Sequence, residues 1–405
     1  MHNKDNWKRN TALFLSSQTI SLFGSMLVQY AITWYITLQT QSGVMMTISI
    51  ICGFVPTFLV SPFAGVWADR YNRKTLIVVS DTLIALSTLA LAVLYLMGWG
   101  AVWMLFAASA VRALGAGIQM PAVGAYLPQF VPKDKLTKVN GIYGSIQSVV
   151  SLASPLLSGA LMTFAVIETI FFIDVVTAAI AVGILLLFLR VPAHAKALSG
   201  EKTGYFRDMG EGIRYINRHG FMKTLFAYCG VFLVLVAPLA FLTPLQVARS
   251  FGDDVWRLTA IEVAFSVGMM LGGVLIASWG GFPNRLHTMV LSTLIIAVCT
   301  AALGLVPVFW IYLAIMGLTG ISMPLFNTPF TVLLQEKVEP DYMGRVFSVF
   351  TMISTSVMPL AILVFGPAAD LIRIEWLLLG TGALMFIEGL LMRRSRVLLA
   401  AGKTE

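Results

Sequence analysis

Charge is scarce in this chain of 405 residues: Asp, Glu, Lys and Arg together make up 11% of it. A soluble domain carries roughly a quarter of its residues as charges, so a water-soluble globular fold is excluded. Cysteine is equally sparse. Cys52, Cys229 and Cys299 stand far apart inside apolar runs, which excludes a disulfide framework and C-x-x-C chemistry. They read as small apolar residues. The longest polar stretch runs only from Arg190 to Arg218, too short for a second soluble domain. No G-x-x-x-x-G-K-[ST] loop is present, so the chain has no ATPase site of its own. A nucleophile–base pair and a metal-ligand cluster are also missing, so it reads as non-enzymatic, without metal or cofactor. None of His2, His194, His219 and His287 falls in the middle of an apolar run, which argues against a histidine relay. A cleavable signal is not expected either: the apolar run after Lys8-Arg9 lasts to about Leu38, and no A-x-A-like site follows.

What the chain has is apolar length. Hydrophobic residues make up 58% of it, and the mean hydropathy is +0.86. Runs long enough to span a bilayer fall near 11–38, 44–66, 75–97, 101–123, 141–164 and 167–189. Six more lie near 219–247, 257–279, 286–306, 308–330, 345–368 and 374–392. The expected fold is all-α: a six-helix bundle over 1–190, a central loop over 191–218 and a second bundle over 219–405. Lys and Arg fix the expected orientation. One side collects the N-terminal Lys8 and Arg9, the loop Arg70 to Lys74, the central loop and the C-terminal Arg393, Arg394 and Arg396. The other side has only Arg249, Arg257 and Arg373. The basic side is expected to be cytoplasmic, with both termini inside a multi-pass cell-membrane protein. This topology also accounts for the net charge of +8, so no nucleic acid is implied.

The two halves look related: Pro121, Pro132 and Gly65 each stand 208 residues before Pro329, Pro340 and Gly273. Between the second and third spans lies Gly65-Val66-Trp67-Ala68-Asp69-Arg70-Tyr71-Asn72-Arg73-Lys74. Its pattern, G-x-x-x-D-R-x-x-R-K, resembles the loop between helices 2 and 3 of major facilitator superfamily transporters. The resemblance implies two pseudo-symmetric six-helix halves that rock around a midplane site. It also implies that Asp69 faces the start of the eleventh span, near Gly344-Arg345, where a carboxylate would meet a helix N-terminus. Gly65, Asp69, Arg70, Arg73, Lys74, Gly344 and Arg345 are therefore the gating candidates. Asn72 replaces the usual small residue, and is expected to hold the turn because Asn tolerates left-handed backbone.

Polar residues inside the spans are the remaining candidates. Arg112 lies mid-span with Gly115 and Gly117 after it, and Gln119 shares its helical face. An arginine at that depth costs several kcal/mol unless it faces protein or water. Two readings stay open, a proton-coupling role or a structural tie to carbonyls. The fifth span, with Gly141, Ser154-Pro155 and Ser158-Gly159, resembles in part the glycine-rich antiporter motif of drug exporters. Its Gln147, Ser151, Ser154 and Ser158 share a face. In the first span Gln18, Ser21, Ser25 and Gln29 form one stripe, with Tyr30 and Trp34 nearby, that lines either the central cavity or another helix. The substrate-contact candidates are thus Gln18, Ser25, Gln29, Trp34, Gln147 and Ser151, a wall suited to a bulky, partly apolar ligand. Asp81, Asp174 and Glu262 are the proton-coupling candidates beside Arg112, because burial disfavours a charged carboxylate and lets it exchange protons. Asp370 and Glu388 lie close to span ends and receive no role.

Three stretches narrow the resemblance: Ile261 to Gly273, Leu334 to Ser348, and Asn6-Trp7-Lys8. Together they resemble the macrolide-efflux branch of the superfamily, whose members are drug:proton antiporters of the bacterial cytoplasmic membrane. The resemblance implies export of an amphipathic small molecule, a macrolide among the candidates, against proton entry by a monomer in the bilayer. Export of a siderophore or lipid-like metabolite through the same fold is the alternative, followed by a non-transporting membrane sensor.

Overall fold

The computed structural model describes residues 6–189, 205–339 and 342–402, with side chains omitted at 62, 66, 69, 133, 205–209 and 401. No β-strand occurs among the described residues. Lipid offers backbone groups no partner, so every spanning segment must close its own hydrogen bonds, and the apolar runs become helices. The first six are α1 (Trp7–Thr40), α2 (Gly43–Arg70), α3 (Arg73–Leu96), α4 (Val102–Tyr126), α5 (Leu136–Phe164) and α6 (Ile167–Gly183). A π turn at Ile184–Phe188 continues α6. After the central segment come α7 (Tyr205–Arg218), α8 (Gly220–Ser250), α9 (Val255–Trp279), α10 (Arg285–Leu303), α11 (Phe309–Lys337), α12 (Met343–Leu371), α13 (Ile374–Arg394) and α14 (Arg396–Ala401). Twelve helices among the described residues are long and apolar enough to cross a membrane, matching the twelve runs.

Contacts group the chain into two compact units. The first holds α1, most of α2, and α3 to α6; the second holds Thr40–Thr47, with the first turn of α2, and α7 to α14. In the first unit two apolar clusters form the core. Leu27, Val28, Ile32, Leu91, Leu105, Ile170 and Phe171 fill one end. Phe14, Ile77, Val123, Tyr126, Phe130 and Leu185 fill the other. Edge-on rings hold the second cluster, with Phe14 and Tyr126 centroids 5.3 Å apart. The residues between these clusters on α1, α3, α4 and α6 include the polar candidates.

Small residues bring α9 and α11 together in the second unit. A Cβ on Gly268, Gly272 or Gly320 would strike the carbonyl of Gly317, Ile321 or Phe265. Such close backbone approach is how lipid-embedded helices associate without a hydrophobic driving force. The central segment departs from the expected loop. Tyr205–Arg218 is the helix α7, with Tyr215 and Ile216 buried. Its apolar residues are too few for a span, yet enough to bury one face against the start of α12. There Tyr215 stacks on Tyr342 (4.5 Å between centroids), and Glu211 pairs with Arg345 at 3.3 Å.

Candidate substrate and proton-coupling site

The polar stripes of α1, α3, α4 and α6 meet in two layers between the apolar clusters of the first unit. In the outer layer, nearer Leu91 and Leu105, Arg112 Nη1 donates to Asp174 Oδ2 at 2.5 Å and to the Thr88 hydroxyl. The Thr88 hydroxyl lies 2.8 Å from the same carboxylate oxygen. Arg112 Nη2 donates to the Ser25 carbonyl at 3.1 Å, and the Ser25 hydroxyl donates to Asp174 Oδ1 at 3.4 Å. One turn along α1, the inner layer forms around Asp81: the Ser21 hydroxyl and Gln119 Nε2 donate to Asp81 Oδ1 at 2.6 and 2.7 Å. The spacings explain the layering. Ser21 and Ser25 are four apart, while Asp81 with Thr88 and Arg112 with Gln119 are seven apart, so each pair repeats on one helix face. Gly24 makes room for it, since a Cβ there would strike Asp174 and Thr177.

Burial makes these contacts consequential. Asp174 is 0% exposed and Asp81 is 1% exposed. A buried ion pair gains most of its worth by leaving neither charge alone, and losing one partner costs about 3–5 kcal/mol. Asp174 has both carboxylate oxygens answered. Asp81 differs: its Oδ2 is buried without a hydrogen-bond partner among the described residues. The two open readings of Arg112 therefore converge on one geometry, a tie to a carboxylate and a carbonyl at the wall of a cavity.

That cavity, of about 590 Å³, lies within the first unit and is lined by Gln18, Ser25, Gln29, Arg112, Gln119 and Gln147, among others. Its size falls in the range of drug-sized ligand sites. Gln18 and Ser109 belong to its wall, and Gln18 Nε2 and Ser109 Oγ are buried without a partner among the described residues. Asn140 and Tyr143 line it too and were missed. Their spacing to Gln147, seven and four residues, was the available signal. Two expected contacts fall elsewhere. Trp34 is 1% exposed and sits against Tyr30, because five residues from Gln29 carry it off the stripe. Ser151 is not among the lining residues, and further along α5 the Ser158 hydroxyl is spent on the Leu27 carbonyl at 3.1 Å. The serine face of α5 thus serves the cavity at one end and helix packing at the other.

Glu262, the fourth coupling candidate, lies on α9 of the second unit, half-buried and without a hydrogen bond or ion pair among the described residues. It is not part of the Arg112 network.

The Gly65–Lys74 segment closes α2 and opens α3 with two residues between them. Asn72 keeps a negative φ of −64° and caps α3, its side chain accepting from the Lys74 amide at 3.0 Å. Capping, rather than left-handed tolerance, is what Asn supplies here. Arg73 donates to the carbonyls of Ala68 and Ala125, each at 2.8 Å, and Lys74 Nζ to the Leu189 carbonyl at 2.8 Å. These cations answer the orphan carbonyls where α2, α4 and the extended α6 end. The Asp69 side chain lies outside the described residues. Gly344-Arg345, its expected partner, meets α7, where a Cβ on Gly212 would press on the Arg345 carbonyl.

A carboxylate at a helix start does occur, at a residue that received no role. Asp370, ending α12, accepts from the amides of Gly43 and Val44 at 2.7 and 2.9 Å and from the Ser42 hydroxyl at 2.8 Å. Arg249 Nη2 pairs with it at 2.6 Å and also donates to the Gln41 carbonyl at 2.6 Å. Glu388 departs similarly from expectation, being 6% exposed on α13.

Comparison with known proteins agrees with this architecture. The chain is 28% identical to macrolide efflux protein A from Streptococcus pyogenes over 94% of each chain. It is 25% identical to the multidrug efflux pump Tap from Mycobacterium bovis over 84% of this chain and 82% of that one. Among solved structures, a POT family transporter in complex with 5-aminolevulinic acid superposes with a TM-score of 0.74 at 13% identity, covering 95% of each chain. The nucleoside transporter NupG gives 0.67 at 14% identity, covering 99% of this chain and 100% of that one. The Major Facilitator Superfamily model matches residues 14–362, and with twelve membrane-length helices among the described residues the chain belongs to that superfamily of membrane transporters.

Proposed function

We propose that this transporter exports amphipathic drugs, macrolides among them, across the cell membrane by proton antiport with alternating access. The observation that carries the reading is the buried Arg112–Asp174 pair at the wall of an amide-lined cavity of about 590 Å³. Amides and hydroxyls there match scattered polar groups on a bulky ligand, and the apolar remainder of the wall takes its hydrocarbon. The two carboxylates divide the work. Asp174 holds Arg112 in place. Asp81 receives the exchanging proton, since its Oδ2 meets no competing donor. Ser21 and Gln119 bond Asp81 and also line the cavity, so ligand binding and proton occupancy act on the same side chains. Glu262 is a second proton site, in the other unit.

The charge asymmetry supports both termini lying in the cytoplasm. The Gly65–Lys74 segment and Gly344-Arg345 each serve in gating the cytoplasmic side, and the chain works as a monomer. Drug accumulation in cells tests the reading. Expression should lower the steady-state level of a macrolide, and a protonophore should restore it. Accumulation unchanged by the protein, or export untouched by the protonophore, would refute it.

A further inference from the structure

Glu388 sits on the wall of a groove in the second unit that the transport reading does not use. The groove, of about 720 Å³, runs between α8 and α13 and reaches Val397 on α14. Ala227, Val231, Leu235, Leu384, Ile387 and Leu391 make its sides apolar. Several are open to the surface: Val231 is 49% exposed, Leu384 55% and Leu391 53%. Among these side chains lies one carboxylate, more than nine-tenths buried, whose Oε2 has no hydrogen-bond partner among the described residues.

The groups facing that carboxylate do not explain it. Tyr228 and Cys229 lie near it on α8, the backbone of Phe232 is within hydrogen-bonding reach of the carboxylate and leaves Oε2 unanswered, and Lys223 and Thr224 line the same groove, where Lys223 is exposed and makes no ion pair with it. A groove built only to seat an acyl chain has no use for a carboxylate, which is expensive at membrane depth. An ionised carboxylate accepts hydrogen bonds and donates none, so its natural partner is a donor, and a charged donor is preferred over a neutral one. Apolar walls around a lone acceptor fit a molecule with a hydrocarbon body and a protonated nitrogen.

We infer that the α8–α13 groove is a binding site for lipophilic amines, with Glu388 as the counter-ion and the apolar side chains holding the hydrocarbon body. The site is separate from the first-unit cavity, so its occupancy does not depend on the export reading.

A photoreactive probe tests this. The full-length protein in phosphatidylcholine nanodiscs is irradiated with a dodecyl dimethylamine bearing a diazirine on its chain, and the labelled peptides are mapped by mass spectrometry. The corresponding dodecanol serves as the uncharged probe. The amine should label α8 and α13 peptides, with Glu388→Gln lowering labelling about tenfold or more, the scale expected for a charge-assisted hydrogen bond. Dodecanol should label the groove as weakly as the amine labels that variant. Leu391→Trp, which fills the groove and leaves the carboxylate intact, should also abolish labelling, whereas Asp81→Asn should not change it. Equal labelling of the wild type and Glu388→Gln, equal labelling by dodecanol, or full labelling of Leu391→Trp would overturn the inference.

Discussion

The two units carry their buried charge in opposite ways. In the first unit Asp174 is matched by Arg112, Thr88 and Ser25, and Asp81 by Ser21 and Gln119. In the second, neither Glu262 nor Glu388 has an ion pair among the described residues, while ion pairs lie at helix ends, as where Asp370 meets Gly43, Val44 and Arg249 and where Glu336 meets Arg285. The contrast separates two roles for a carboxylate. A paired charge is part of the packing and cannot be removed alone. A carboxylate without a counter-charge, Asp81 as well as Glu262 and Glu388, can exchange a proton or meet a ligand.

Substitutions can break this contrast, beginning with the largest effect. Asp174→Ala leaves Arg112 buried without its counter-ion and should destabilise the protein by about 3–5 kcal/mol, seen as a lower thermal midpoint in detergent. Replacing both, Arg112→Leu with Asp174→Leu, should recover most of that loss while transport stays absent; an equally unstable double variant would show that the pair is not the unit of stability. Gly272→Leu drives a side chain into the Ile321 carbonyl and should cost about 1–3 kcal/mol by the same assay. Asp370→Ala removes the cap of α2 and should cost about 1–2 kcal/mol, with faster amide exchange confined to the first turn of α2. Smallest of all, Glu262→Gln should shift stability by no more than about 0.5 kcal/mol, since no partner is lost. A large loss there would erase the distinction between the units.

Much of this was legible in the sequence, for identifiable reasons. A membrane helix must be long and apolar, so the twelve runs became the twelve membrane-length helices among the described residues. Periodicity placed Gln18, Ser25, Gln29, Arg112, Gln119 and Gln147 on inward faces because a polar stripe has no place in lipid. The pairing of Arg112 with Asp174 was not legible, as it depends on how α4 and α6 approach α1 and α3, which no single helix encodes. Nor was the partner of Asp370, on a helix start 327 residues away. Helix α7 was hidden by its charges: its apolar face is too short to register as a span, and Arg and Glu interrupt it. Trp34 shows the limit of proximity arguments, since being near a stripe is not being on it.

Proteoliposomes with an imposed pH gradient test the coupling between Asp81 and the cavity. Wild-type protein should drive a labelled macrolide uphill in proportion to the gradient. Asp81→Asn should still bind and equilibrate the drug, yet lose all gradient-driven accumulation. Uphill accumulation by Asp81→Asn at the wild-type level would show that Asp81 does not carry the exchanging proton.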